Sequence, residues 1–276
     1  MQSWEPASDI ATRPVAVIGA GVLGRRIGQY YTTTKLCGLR WKVANSCAGC
    51  VWASGGYNVL IYDPNVDQCN QAKEYITQNV QAYAQKTNKT PGNFETISSL
   101  TQAVENAWLV VECVPERLEA KTKIFGELTT LTRRDAILAT NSSSYRSSEM
   151  LGEVPEVCKS RILNMHYYMP PNCMVVELMT DGFTDPAIIE FLAERSREVG
   201  TLPYVAKKES TGFIFNRLWA AVKRETLTIL AEGVSTPEEI DSMWTEMFVK
   251  GGSLPCRTMD GKCFAHTYHW HMLTLR

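Results

Sequence analysis

Short apolar runs, each bounded by glycine, proline or polar clusters, alternate along this chain with segments of helical period. Runs rich in β-branched residues predict strands at 15–18, 58–63, 109–114, 136–140 and 174–178, with 161–165 leading into a further one. Helical periods predict helices at 66–85, 100–105 and 120–131, then a long amphipathic helix at 213–232. A second helix of that late group begins at Pro237, which fits a first helical turn. Strands that are apolar on both sides belong to buried parallel sheets. Alternating strands and helices predict an α/β, doubly wound, mostly parallel sheet, and the later helices an all-helical domain.

The first strand runs into Gly19-Ala20-Gly21-Val22-Leu23-Gly24 and then Arg25-Arg26-Ile27. In such a strand, turn and helix, Gly19 permits the tight turn and Gly21 lets backbone approach a pyrophosphate. Gly24 allows close helix packing, and the phosphates rest on the helix N-terminus. The sheet is therefore expected to be Rossmann-like and to bind a dinucleotide, with backbone contacts from Gly19, Gly21, Val22, Leu23 and Gly24.

An acidic residue about 20 positions after the glycines, at the end of the second strand, completes that motif. Asp63 has the right setting but lies 39 residues past Gly24. Residues 29–49 account for the excess: 30–35 lack amphipathic period, and Cys37, Cys47 and Cys50 crowd together. Removing those 21 residues leaves a spacing of 18 and joins 25–28 to 50–57 as one helix with a glycine stop. The expectation is a translated, unspliced intron, since Gly28-Gln29 can encode a splice donor, Ala44-Asn45 a branch sequence and Ala48-Gly49 an acceptor. The competing reading of Cys47 and Cys50 is a zinc-binding CxxC, but it has no second pair.

Composition narrows the class. The 276 residues suit two domains, and 28 basic against 29 acidic residues, with no basic run, exclude the electrostatic footprint of a nucleic-acid binder. No signal peptide, lipidation motif or apolar stretch of membrane-spanning length is apparent. A soluble intracellular protein is expected, cytoplasmic first, with mitochondrion and peroxisome as alternatives. Nine cysteines, an odd number, read as reduced thiols.

Candidate chemistry gathers in the second half of the sheet. Pro115-Glu116-Arg117 and Asn141-Ser142-Ser143-Ser144 follow strands, at the end where open α/β sheets bind ligands. Glu112, inside an apolar strand, requires a buried partner. His166-Tyr167-Tyr168-Met169-Pro170 precedes Glu177, and His166 is the sole histidine before the last 11 residues. An imidazole titrates near working pH and suits removal of a hydroxyl proton as hydride leaves. A structural histidine beside an edge-strand carboxylate is the alternative, and helix capping is the alternative for Ser142, Ser143 and Ser144.

With these motifs the chain resembles the 3-hydroxyacyl-CoA dehydrogenase family over most of residues 13–260. The resemblance implies NAD as cofactor and oxidation of the 3-hydroxyl of a hydroxyacyl-CoA or related hydroxy acid. It implies His166 as base, Glu177 as its orienting carboxylate, Ser143 near the substrate oxygen and Asn216 as a substrate-positioning residue. Glu116 and Lys121 match the family's cofactor-side pair, Asn141 stands beside the nicotinamide, and Asp63 accepts the ribose hydroxyls. Met169 departs from the family's usual asparagine, and the stretch from His166 to Glu177 is one residue short.

The expected domains are 1–206, NAD-binding, and 207–260, a partial helical domain whose Trp219, Trp244 and Phe248 read as core. An atypical tail, 261–276, follows. Gly261-Lys262 can encode a splice donor, so a second retained intron is expected; zinc binding by Cys263, His266, His269 and His271 is the competing reading. The resemblance implies a homodimer through the helical domain, which its shortness here argues against. The alternative function is a catalytically impaired, incompletely spliced form that retains at most nucleotide binding.

Overall fold

The computed structural model describes residues 4–20, 44–252 and 254–256, and the chain divides into two compact units, Met1–Phe215 and Asn216–Arg276. The division falls after Phe215, nine residues beyond the boundary expected from the sequence.

The first unit is built on eight strands: β1 (Val15–Ile18), β2 (Val59–Tyr62), β3 (Phe94–Thr96), β4 (Leu109–Glu112), β5 (Ile137–Thr140), β6 (Ile162–Met169), β7 (Cys173–Met179) and β8 (Leu202–Ala206). They form one sheet in the order β3-β2-β1-β4-β5-β6-β7-β8. Every neighbouring pair is parallel except the β6–β7 hairpin. This is a Rossmann-like doubly wound sheet, and its strand order reverses between β1 and β4, which opens a crevice at their C-terminal ends.

Period-two alternation divides β1 between two cores. Val15 and Val17 pack on one face with Trp52, Ile61 and Ile76, while Ala16 and Ile18 pack on the other with Phe125, Leu128 and Met150. Each large side chain buried here contributes about 1.5–3 kcal/mol. The covering helices are α1 (Ala44–Ser54), α2 (Val66–Thr87), α3 (Leu100–Val104), α4 (Leu118–Leu131) and α5 (Pro186–Glu198). Asn65 caps α2 through the Asp67 N–H, and Asp185 caps α5 through the Ala187 N–H, with Pro186 in the first turn.

α1 corrects one expectation. Residues 44–49, assigned from the sequence to the insert, are the first half of this helix. Ala48 is fully buried, and a Cβ on Gly49 would stand 3.2 Å from the Ile76 Cδ1, so these two positions pack in the core. Ala and polar residues satisfy helix geometry without an obvious apolar period, which is why the pattern does not reveal it. The rest of the insert lies outside the described residues, and so do Gly21, Val22, Leu23, Gly24 and the tail with its cysteine and histidines.

The second unit holds α6 (Phe215–Ala231) from Asn216 onward and α7 (Pro237–Trp244), followed by a π-helical turn, Thr245–Lys250. Trp219, Trp244 and Phe248, expected as core, are 37, 40 and 41 % exposed. Among the described residues this unit has no third layer to cover an amphipathic helix pair, so the apolar stripes stay open. No described helix is long and apolar enough to cross a membrane.

Candidate active site

The crevice between β1 and β4 begins at Gly19. Its φ is +97°, and a Cβ there would lie 2.6 Å from the carbonyl oxygen of Cys113, so only glycine fits where the two strands part. Asp63, just past β2, receives the Ala20 N–H at 2.8 Å and the Asn65 N–H at 2.8 Å. Its carboxylate thus touches the glycine turn. Strand order, glycine turn and acidic residue together fit an NAD site.

At the end of β4 the chain places charge inside the protein. Lys121 donates to both carboxylate oxygens of the fully buried Glu112, at 2.8 and 3.1 Å, and Glu112 also accepts from the Thr140 hydroxyl and the Val114 N–H. The strand glutamate therefore has the partner that burial demands. Burial alone would lower the Lys121 pKa, but the charges of Glu112 and Glu116 outweigh it and the net shift is upward. Glu116 stands 3.4 Å from the same ammonium and accepts from the Ser142 hydroxyl and the Ser144 N–H. Glu116, Lys121 and the loop after β5 are thereby one cluster.

Asn141 joins that cluster to the histidine. Its N–H donates to the Glu112 carbonyl, its side-chain oxygen accepts the Tyr167 N–H at 2.9 Å, and its own carbonyl lies 3.2 Å from His166 Nδ1. A carbonyl can only accept, so neutral His166 carries its proton on Nδ1 and keeps a lone pair on Nε2. Burial pushes the His166 pKa below the usual histidine value, against the Asn141 hydrogen bond and the charges of Glu177 and Glu116, which pull it up. The ring is therefore a neutral base at ordinary pH.

Glu177 stands opposite His166 in the β6–β7 register but does not hydrogen-bond to it. Its carboxylate takes the Tyr168 hydroxyl and the N–H groups of Ile214, at 2.7 Å, and Phe215, at 3.1 Å. The contact that holds His166 Nδ1 is made by the Asn141 carbonyl, while the Glu177 carboxylate is engaged by Tyr168, Ile214 and Phe215. Ser143 is half-buried and its hydroxyl has no partner among the described residues, whereas Ser142 is committed to Glu116. Asn216 lies in the first turn of α6, in the second unit.

Two residues at the site were not anticipated from the sequence. The Phe213 ring stacks on the His166 imidazole with centroids 5.3 Å apart and planes at 23°, and Tyr168 meets the same imidazole edge-on at 4.8 Å. The available signal for Tyr168 was its position two residues after His166, on the same side of the strand.

Residues 43–210 match the model of the 3-hydroxyacyl-CoA dehydrogenase NAD-binding domain, and residues 212–251 that of the 3-hydroxyacyl-CoA dehydrogenase C-terminal domain. The chain belongs to the 3-hydroxyacyl-CoA dehydrogenase family. It is 50 % identical over 102 residues to the 3-hydroxyacyl-CoA dehydrogenase-like protein LAM1 of Cochliobolus heterostrophus, a match covering 37 % of this chain and 22 % of that one. It is 30 % identical over 243 residues to the lambda-crystallin homolog of Bos taurus, covering 84 and 68 %. The chain thus spans about a fifth of the first relative's length and two thirds of the second's. In fold it is similar to 3-hydroxybutyryl-CoA dehydrogenase of Escherichia coli K12, with a TM-score of 0.69 at 24 % identity, covering 84 % of this chain and 46 % of that one.

Proposed function

We propose that this family member oxidises the 3-hydroxyl group of a hydroxyacyl-CoA, or of a related hydroxy acid, to a ketone with NAD as acceptor. The observation that carries the reading is the neutral, buried His166, its Nδ1 held by the Asn141 carbonyl beside the Glu116–Lys121 cluster. Bound NAD supplies the hydride acceptor. Gly19 and Asp63 belong to the cofactor side, and Asn141, Glu116 and Lys121 frame its inner end.

His166 Nε2 takes the hydroxyl proton, and general-base catalysis of this kind contributes roughly a hundredfold or more. The buried carboxylate of Glu177 favours the imidazolium so formed through its charge. The Ser143 hydroxyl, which has no partner among the described residues, is suited to donate to the substrate oxygen, and Asn216 to position the substrate, as the family resemblance implies.

The test is NADH formation with hydroxyacyl-CoA thioesters of several chain lengths and with free hydroxy acids. Turnover on at least one class, lost in His166→Ala with NAD affinity kept, is the expected result. NAD binding with no turnover on any of them would replace this reading with that of a nucleotide-binding form impaired in catalysis.

A further inference from the structure

Phe213 has a backbone that an aromatic residue rarely adopts. Its φ is +56°, directly after Gly212 at +80°, so two consecutive residues lie in the left-handed region. Glycine occupies that region freely, but a bulky side chain there is strained, and such strain persists only where the surroundings impose it. What imposes it here is visible on both sides. Before Phe213, its own N–H closes a turn on the Ser210 carbonyl. After it, the next two N–H groups, those of Ile214 and Phe215, are both bound by Glu177.

The strained backbone puts one ring in one place. Phe213 is 3 % exposed and packs with Met179 and Ala206, the last residues of β7 and β8, while its face stacks on His166. The imidazole thus has its Nδ1 edge on Asn141, Tyr168 against it edge-on, and Phe213 across its face. An aromatic pair of this kind holds ring planes as well as excluding water.

We propose that Phe213 is a positioning residue for His166, and that Glu177 sets the imidazole plane indirectly, by locking the Gly212–Phe215 turn that presents the Phe213 ring. This rests on His166 being the base, and assigns Glu177 a second task beside its charge. The two residues act in series, so their contributions to positioning are not independent.

The experiment uses the full-length chain and its variants Phe213→Leu, Phe213→Tyr, Phe213→Gly and Glu177→Ala, with the double variant Glu177→Ala/Phe213→Leu. The His166 imidazole is titrated by NMR without substrate, which reads the contact whether or not the chain turns over. Phe213→Leu removes the aromatic face and admits water, so the His166 titration moves upward and the acid limb of kcat/KM follows it; Glu116, Glu177 and Tyr168, the other groups facing the ring, are unchanged. Phe213→Tyr keeps the aromatic face and retains the wild-type values. In kcat, Phe213→Leu loses about tenfold or more with KM for NAD unchanged, as misplacement of a catalytic group does. Phe213→Gly relieves the strained φ, so it supplies a folded chain even if Phe213→Leu does not fold, and shows the same loss. The double variant loses little more than Glu177→Ala alone. An unmoved His166 titration in Phe213→Leu and Phe213→Gly, or losses that multiply in the double variant, would overturn the proposal. A wild-type chain that never turns over sinks the functional reading, while the NMR comparison still decides the positioning.

Discussion

Lys121 and Glu112 meet with both side chains fully buried, the ammonium 2.8 and 3.1 Å from the two carboxylate oxygens. Removing one partner leaves a charge stranded in the core at the foot of the cofactor crevice. Lys121→Met is therefore expected to destabilise the chain by about 3–5 kcal/mol in denaturant unfolding. Because the folded-state pKa of Lys121 is raised, the pair's contribution is complete below the ordinary lysine value and is lost as pH rises through the raised one. A loss under about 1 kcal/mol would show that the two groups are solvated.

His166 gives the opposite sign of pH dependence. Burial lowers its folded pKa, so the unfolded chain takes up a proton before the folded one does. Stability is whole above about 6.5, the unperturbed histidine value, and declines as pH falls from there towards the lowered value. Unfolding midpoints of wild type and His166→Gln, followed from about pH 7.5 to 5, should converge as pH falls. A wild-type excess that grows with acidity would mean that the ring is protonated in the folded state.

Much of this site was legible in the chain, and what escaped has physical reasons. The buried parallel strands announce themselves as apolar runs, and His166, Glu177, Glu116, Lys121 and Asn141 each lie within one or follow it closely. β3 is three residues long and half-exposed, too short to carry a period, and β8 is an edge strand whose Leu202 and Tyr204 face outward. The missed α5 did carry a signal, Asp185-Pro186, a cap followed by proline. The stacking of Phe213 on His166 could not be read, because phenylalanine is not a residue one expects at positive φ, and its ring partners His166 and Met179 are distant in the chain.

Asp63 is expected to select NAD over NADP, because a 2′-phosphate would face its carboxylate and no arginine follows in Pro64-Asn65-Val66. Asp63→Asn removes the charge and keeps one acceptor oxygen, so it retains only one of the Ala20 and Asn65 N–H contacts, which use different oxygens of the carboxylate. Titrating both dinucleotides should show the preference reduced by roughly tenfold or more in the variant. Equal affinities for the two in the wild type would defeat the assignment.

Deleting residues 29–49 removes the first half of α1 with the rest of the insert, and should raise melting temperature and NAD affinity if the residues before Gln29 take over those helical positions. In the shortened chain Gly28 precedes Cys50 directly and takes the place of Gly49, where the helix approaches Ile76, Ile61 and Val59 closely and a side chain would crowd. The glycine turn then enters its helix without interruption, as phosphate binding requires. Thermal melts with and without NAD decide it; at roughly a hundredfold excess over Kd, binding should add about 2.7 kcal/mol. Identical melts and identical kcat in the two chains would mark the insert as a tolerated part of the protein.

The register of the β6–β7 hairpin slips between Tyr167 and Met169, where three steps along β7 match two along β6. Side chains on a strand alternate in direction, so an odd change in hairpin length ordinarily turns every following residue to the opposite face. Here the irregularity lies between the turn and the His166–Glu177 rung and can take up the odd residue before it reaches them. Hairpin length is thereby uncoupled from the chemistry. The odd residue of the present turn is thus settled before the rung at which histidine and glutamate face one another.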